Sequence, residues 1–256
     1  MSNVFVITSG ASTATEDKEP RLAYKSLVST STITASHDTG NTAYLHDGMT
    51  SLKWRPAVLS SSLQFDGSFA NTDYLAISGV NWASAGCSVT VKDAGAVVIA
   101  SVSGLRDNQP VLFTFTKGTQ TQLLIEFTCT STNLEVGEVY FGESMQFPKN
   151  VSVGYKPGRW STNDLISSSR TEANQFAGST VRARGTTESF TINHVPIEFM
   201  ESEYTNFMNQ ARGVPIFFLW NKSNANHAVF GNWSASDPTY TSSLLSSIRL
   251  NINGVA

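Results

Sequence analysis

The sequence is poor in charge, poor in cysteine and without long apolar runs, and each shortage excludes something. Only 14% of the 256 residues are charged, and 17 lysines and arginines stand against 20 acids for a formal net charge of −3. Nucleic-acid binding needs basic groups gathered on one face to displace counterions from phosphates. Here they are scattered and outnumbered, so no nucleic-acid recognition is expected. No stretch approaches the ~20 apolar residues that cross a bilayer as a helix. Residues 3–7 are too short for a signal-peptide core and have no basic segment before them. No membrane insertion is expected, and the chain is expected to stay in the cytoplasm or to leave it inside an assembly. Cys87 and Cys129 are the only cysteines. Both lie in strand-like runs and make no recognisable framework, so they are read as buried thiols rather than a disulfide.

The motifs of chemistry are missing as well. His37, His46, His194 and His227 have no helical spacing and no cysteine neighbour, so no metal set is expected from them. No Gly-x-Ser-x-Gly elbow occurs, and no glycine-rich stretch continues into the Gly-Lys-Ser/Thr of a phosphate loop. Glu198, Glu201 and Glu203 follow the pattern of a solvated helix face rather than a pair of catalytic carboxylates. The reading is of a protein that is not an enzyme, with no catalytic residue and no cofactor.

What the chain does contain is short alternating strands with turn residues between them, and one helix. The strand segments are 62–65, 74–78, 88–92, 97–102, 111–116, 123–128 and 136–141, with turn signals at Asp66-Gly67, Asp93-Ala94-Gly95, Asp107 to Pro110 and Lys117-Gly118. Residues 1–30 read as a mobile arm or loop. A change of organisation at Met145 to Asn150 divides the chain into 1–144 and 145–256. The second part reads as strands at 151–155, 172–184, 186–194, 214–220, 227–233 and 244–252, with a polar loop from Lys156 to about Ser169. Between Pro196 and Gly213, Ile197, Met200, Tyr204, Phe207, Met208 and Ala211 recur at helical spacing, with polar residues opposite. Proline at the start and glycine at the end bound the helix. The fold class is therefore all-β with one helix.

The loop from Asn41 to Pro56 carries Asp47-Gly48, Thr50 and Trp54 before the first long strand, and it resembles the corresponding loop of galactose-binding-like (discoidin-type) β-sandwiches. Leu63 to Gly67, Asp73 to Ser78, Val89 to Val91, Leu124 to Phe127 and Gly137 to Gly142 follow that fold's strand order. The resemblance implies a packed Trp54 and makes Asp47 the best candidate for a calcium ligand, although a turn-forming Asp-Gly accounts for it and leads. Residues 145–256, strands with one helix inserted before an aromatic strand, resemble the tail-tube fold of tailed bacteriophages and the ring domain of their distal tail proteins. What this second resemblance implies is a β-barrel carrying a single α-helix. It also implies a homo-hexameric ring at the tail tip, with tube, hub, fibre or receptor-binding proteins as partners. The location would be the virion tail, assembled in the host cytoplasm. Arg159, Trp160, Arg170, Arg182 and Arg184 are candidate subunit contacts. The alternative function is a carbohydrate-binding module for host-surface glycans, with Asp47, Asn81 and Trp82 as contacts, the two last placed on an exposed loop.

Overall fold

In a computed structural model, residues 18–49, 51–157, 165–170, 172, 174–183 and 185–255 are described. The chain is mostly β with one main helix. Its strands are β1 (Arg21–Ala23), β2 (Thr32–Ala35), β3 (Ser60–Ser78), β4 (Ser88–Asp93), β5 (Val98–Val102), β6 (Val111–Thr128), β7 (Glu138–Gly142) and β8 (Met145–Gln146). They continue as β9 (Leu165–Arg170), β10 (Phe176–Ala183), β11 (Gly185–Pro196), β12 (Ile216–Leu219), β13 (Ala228–Ala235), β14 (Thr239–Tyr240) and β15 (Leu245–Val255). No helix among the described residues is long and apolar enough to cross a membrane.

The sandwich forms from a six-stranded antiparallel sheet in the order β2-β3-β6-β4-β5, with β7 beside β3. Seven separate segments were expected, but four of them merge into the two long strands β3 and β6. Asp66-Gly67 and Lys117-Gly118 are not hairpin turns; they lie where register shifts let both strands bend together. Bending lets the same strands serve both layers and close around Trp54, Phe65, Phe69, Trp82, Phe113, Phe127 and Phe141. Trp54 has no exposure, as the first resemblance implied. Cys87 and Cys129 are joined in a disulfide, which corrects the reading as free thiols. Its cause is register: Ser88 stands opposite Thr128, so the two cysteines fall at the next pair of positions.

The second sheet has the order β11-β15-β13-β12-β1-β8, with β14 beside β15. It curls into a half-barrel. Leu22, Ile216, Phe218 and Val229 face one side, and Ala23, Phe217, Leu219 and Phe230 face the other. Both sides are covered, which explains the unbroken apolar run of β12. The helix, residues 197–210, lies on the first side. Its α-helical turns Ile197–Phe199 and Thr205–Gln210 flank a π-turn at Met200–Tyr204. Phe207 has no exposure and meets Tyr24 at 5.1 Å and Trp233 at 4.5 Å between ring centres. Trp233 also donates from Nε1 to the Ala211 carbonyl at 2.9 Å. Glu198, Glu201 and Glu203 are exposed, as the periodicity required.

Three further expectations need correction. Residues 21–23 are not part of an arm: β1 lies between β12 and β8, with Arg21 opposite both Leu219 and Gln146. Residues 151–155 form a turn instead of a strand, and the stretch read as a polar loop contains β9, which pairs with β10. Against the other side of the half-barrel sit Tyr74, Ala76, Leu112 and Tyr140 of the sandwich. Alternation along β3 thus sends Leu75 and Ile77 into the sandwich core and Tyr74 and Ala76 into this junction. Arg21 reinforces the junction through Asp73 at 3.0 Å and Gln146 at 2.9 Å. At Gly231, an added Cβ would stand 2.1 Å from the Asn253 carbonyl, so only glycine lets β13 and β15 approach there.

Candidate functional site

The segment from His37 to Pro56 wraps the edge of the sandwich and is fastened from beneath. Trp54 exchanges backbone bonds with Val136, at 2.9 and 3.0 Å, and donates from Nε1 to the His37 carbonyl at 3.0 Å. Asp38 accepts from the Arg55 backbone N–H at 2.9 Å and from Asn41 Nδ2 at 2.6 Å, closing the base of the loop. Lys53 and Arg55 both reach Glu135, at 3.1 and 2.9 Å. Asp47 Oδ1 accepts the Met49 N–H at 2.7 Å, the bond that defines its turn. Above these fastenings the loop displays Met49 and Leu52, at 51% and 38% exposure, with Arg55 extended into solvent and the Tyr44 and His46 rings half-exposed.

Beneath the Asp47 turn lies a group that the sequence did not single out. Glu138, the first residue of β7, has no exposure, and neither carboxylate oxygen makes a hydrogen bond of good geometry. Its polar surroundings are the Asp47 carboxylate and the backbone N–H groups of Gly48 and Met49. Burial first, and then repulsion from Asp47, raises its pKa from 4.5 to about 7. Glu138 is buried while Asp47 is exposed, and a proton held on Glu138 or a cation between the two relieves the repulsion.

The two carboxylates are the chemistry a hard cation prefers, and they make only part of a shell. Calcium takes six to eight oxygens, ~2.3–2.6 Å away, from carboxylates, backbone carbonyls and water. Asp47 and Glu138 would supply the carboxylates, while the Gly48 and Met49 N–H groups that face Glu138 supply no ligand. Among the described residues no group of three or more His, Cys, Asp or Glu side chains comes together, so any cation here would keep most of its shell as water.

The other predicted contacts are placed differently. Trp82 is 1% exposed, not on an open loop. It starts a one-turn helix, Trp82–Ala85, stands 6.3 Å from Phe127 and donates from Nε1 to the Gln109 carbonyl at 2.8 Å. Asn81 donates from Nδ2 to the Asn133 carbonyl at 2.7 Å and accepts the Glu135 N–H at 2.8 Å, so both its amide groups hold the fold. Trp82 thus packs in the core instead of standing exposed, and Asn81 is committed to the segment around Glu135. Arg159, Trp160 and Arg184 lie outside the described residues. Arg170 and Arg182 belong to β9 and β10, and their side chains also lie outside the description.

No protein-family model matches this chain, and no curated protein does. Among solved structures, the module CpGH89CBM32-6 produced by Clostridium perfringens is similar over 46% of this chain and 99% of its own, with 15% identity and a TM-score of 0.35. A Streptococcus pneumoniae fucose binding module is similar over 47% of this chain and 96% of its own, with 16% identity and a TM-score of 0.36. CpGH89CBM32-5 from Clostridium perfringens, in complex with GalNAc-β-1,3-galactose, is similar over 46% and 99%, with 15% identity and a TM-score of 0.35. No residue role is carried over from them.

Proposed function

We propose that this protein is a non-catalytic saccharide-binding protein whose sandwich carries the recognition surface on the 37–56 loop. The observation that carries the reading is the fully buried Glu138 carboxylate, poorly hydrogen-bonded, against Asp47 under that loop. A cation there fixes the loop backbone before any ligand arrives, so that little freedom is lost on binding. Tyr44 then offers a ring face, His46 and Arg55 offer hydrogen bonds, and Met49 and Leu52 offer apolar contact. These are the group types that hold a sugar by its C–H face and its hydroxyls. The Cys87–Cys129 disulfide suits work outside a reducing cytoplasm, at a virion or cell surface. A printed glycan array tests the reading. The expected result is binding to a restricted set of glycans, lost in the Tyr44→Ala/Arg55→Ala variant; no glycan above background would overturn it.

A second reading, a ring-forming component of a phage tail tip, draws on the other half of the chain. Tyr240 and Leu244, 74% and 72% exposed, lie on the β14–β15 hairpin beside the start of the helix, where Ile197 donates to the Leu244 carbonyl. An exposed aromatic and an exposed leucine together suit a subunit contact. On this reading six copies form the ring and the sandwich faces outward. Native mass spectrometry tests it: a hexamer that Tyr240→Ser/Leu244→Ser converts to monomer supports it, and a monomer at all concentrations refutes it.

A further inference from the structure

The outer face of the sandwich sheet carries a second cluster of polar groups, away from the 37–56 loop. On β3 and β6, Asp66 stands opposite Gln122 and Gln64 opposite Leu124. The Asp66 carboxylate accepts from Gln64 Nε2 at 3.0 and 2.8 Å and from Gln122 Nε2 at 2.9 Å. On the neighbouring strand, Lys92 stands opposite Leu124 and pairs with Glu126 at 2.7 Å. All of these side chains are half-exposed.

Ordering a glutamine costs up to about 2 kcal/mol of rotamer freedom, and here two are ordered on one carboxylate. With each NH2 group committed to Asp66, each amide carbonyl is turned away from it, which leaves two fixed acceptors beside the carboxylate's remaining lone pairs. Leu124 is half-buried yet belongs to none of the three apolar clusters, so it forms an apolar patch between the amides and the Lys92–Glu126 pair. That pair neutralises itself. The face therefore combines prearranged acceptors, a small apolar floor and little net charge, which suits a neutral polyhydroxylated ligand better than an anion or a nucleic acid.

We propose that this face is a second saccharide subsite. Vicinal hydroxyls of a pyranose donate to Asp66 and to the carbonyls of Gln64 and Gln122, while the C–H face of the ring lies on Leu124. The inference rests on the saccharide-binding reading. It extends that reading to chains or branches long enough to use both loop and face, or to two independent sugars.

The test uses the full chain and the strongest oligosaccharide from the glycan array, with the side-chain amide resonances of Gln64 and Gln122 followed by NMR. Both resonances are expected to shift on addition of the oligosaccharide. The Gln64→Ala/Gln122→Ala variant, with an unchanged near-ultraviolet circular dichroism spectrum, is expected to bind about ten-fold more weakly, a loss of ~1.4 kcal/mol. If the loop resonances shift while those of Gln64 and Gln122 do not, or if the double variant binds as tightly as wild type, the second subsite is refuted and the loop reading survives. If no glycan binds the wild type, both fall together.

Discussion

Replacing Glu138 by glutamine separates charge from shape at the sandwich edge. The carboxyl has no exposure and no hydrogen bond of good geometry, and its pKa is raised from 4.5 to about 7, by burial first and by Asp47 second. A raised acid pKa means that the folded chain holds the proton more tightly than the unfolded chain, so stability must fall as pH rises. The contribution is fully present below 4.5 and is lost as pH climbs through about 7. At about 1.36 kcal/mol per pH unit, the loss amounts to roughly 3 kcal/mol. Glutamine keeps the shape and removes the titration. Without divalent cations, Glu138→Gln is therefore expected to match wild type near pH 4 and to exceed it by roughly 3 kcal/mol near pH 8. Calcium should reverse the order at the alkaline end, because it replaces the missing proton in wild type and finds one carboxylate fewer in the variant. Urea denaturation across this pH range, in chelator and in calcium, measures both effects. If the variant is no more stable than wild type near pH 8 in chelator, Glu138 is not the strained charge described here. If calcium stabilises both chains equally, the cation does not sit on Glu138.

Three further perturbations probe the scaffold. Phe207→Ala opens a void between Tyr24, Tyr204 and Trp233; the expected cost is about 3–5 kcal/mol in urea denaturation, and a loss below about 1 kcal/mol would show that the helix is not packed by this ring. Asp73→Ala removes one charged partner of Arg21, whose side chain is 13% exposed and keeps Gln146 and Glu19; about 2 kcal/mol is expected to be lost, and a neutral result would show that the junction does not depend on the pair. Replacing both Cys87 and Cys129 by serine frees a loop of sequence separation 42; the chain-entropy account gives roughly 4 kcal/mol, and an unchanged denaturation midpoint would show that the disulfide contributes nothing to stability.

The strands were legible wherever one side of the sheet faces water, since alternation then marks the pattern, as in β4. Alternation in burial is lost at β7 and at 74–78 of β3, where the half-barrel covers the second side, yet both still read as strands from their apolar residues and the turns around them. Glu138 was missed for the same reason: next to Gly137 at the start of a strand it reads as an exposed acid, and only the covering Asp47 turn buries it. The Asp-Gly turn itself was legible, because its hydrogen bond is local. Trp82 reads as exposed because polar and glycine residues precede it, while its burial depends on the distant Gln109 and Phe127. The disulfide was hidden in a register that no local pattern records. The helix was the reverse case: its period and both its ends are written in eighteen or so consecutive residues, and it folds against the sheet as that period requires.

β1 teaches a related lesson about the order of the chain. Arg21 to Ala23 is too short to announce a strand, and its neighbours β12 and β8 come from much later in the sequence. Its placement shows how the two halves are joined: the first strand among the described residues lies in the second sheet, the sandwich follows, and β8 returns to that sheet.

The claim that a cation-organised loop of this sandwich binds saccharide is tested most directly by calorimetric titration with the strongest array oligosaccharide, in calcium, after chelation, and after calcium is returned. The account predicts binding in calcium, at least about ten-fold weaker binding after chelation, and recovery on return. Equal affinity in all three conditions would contradict it.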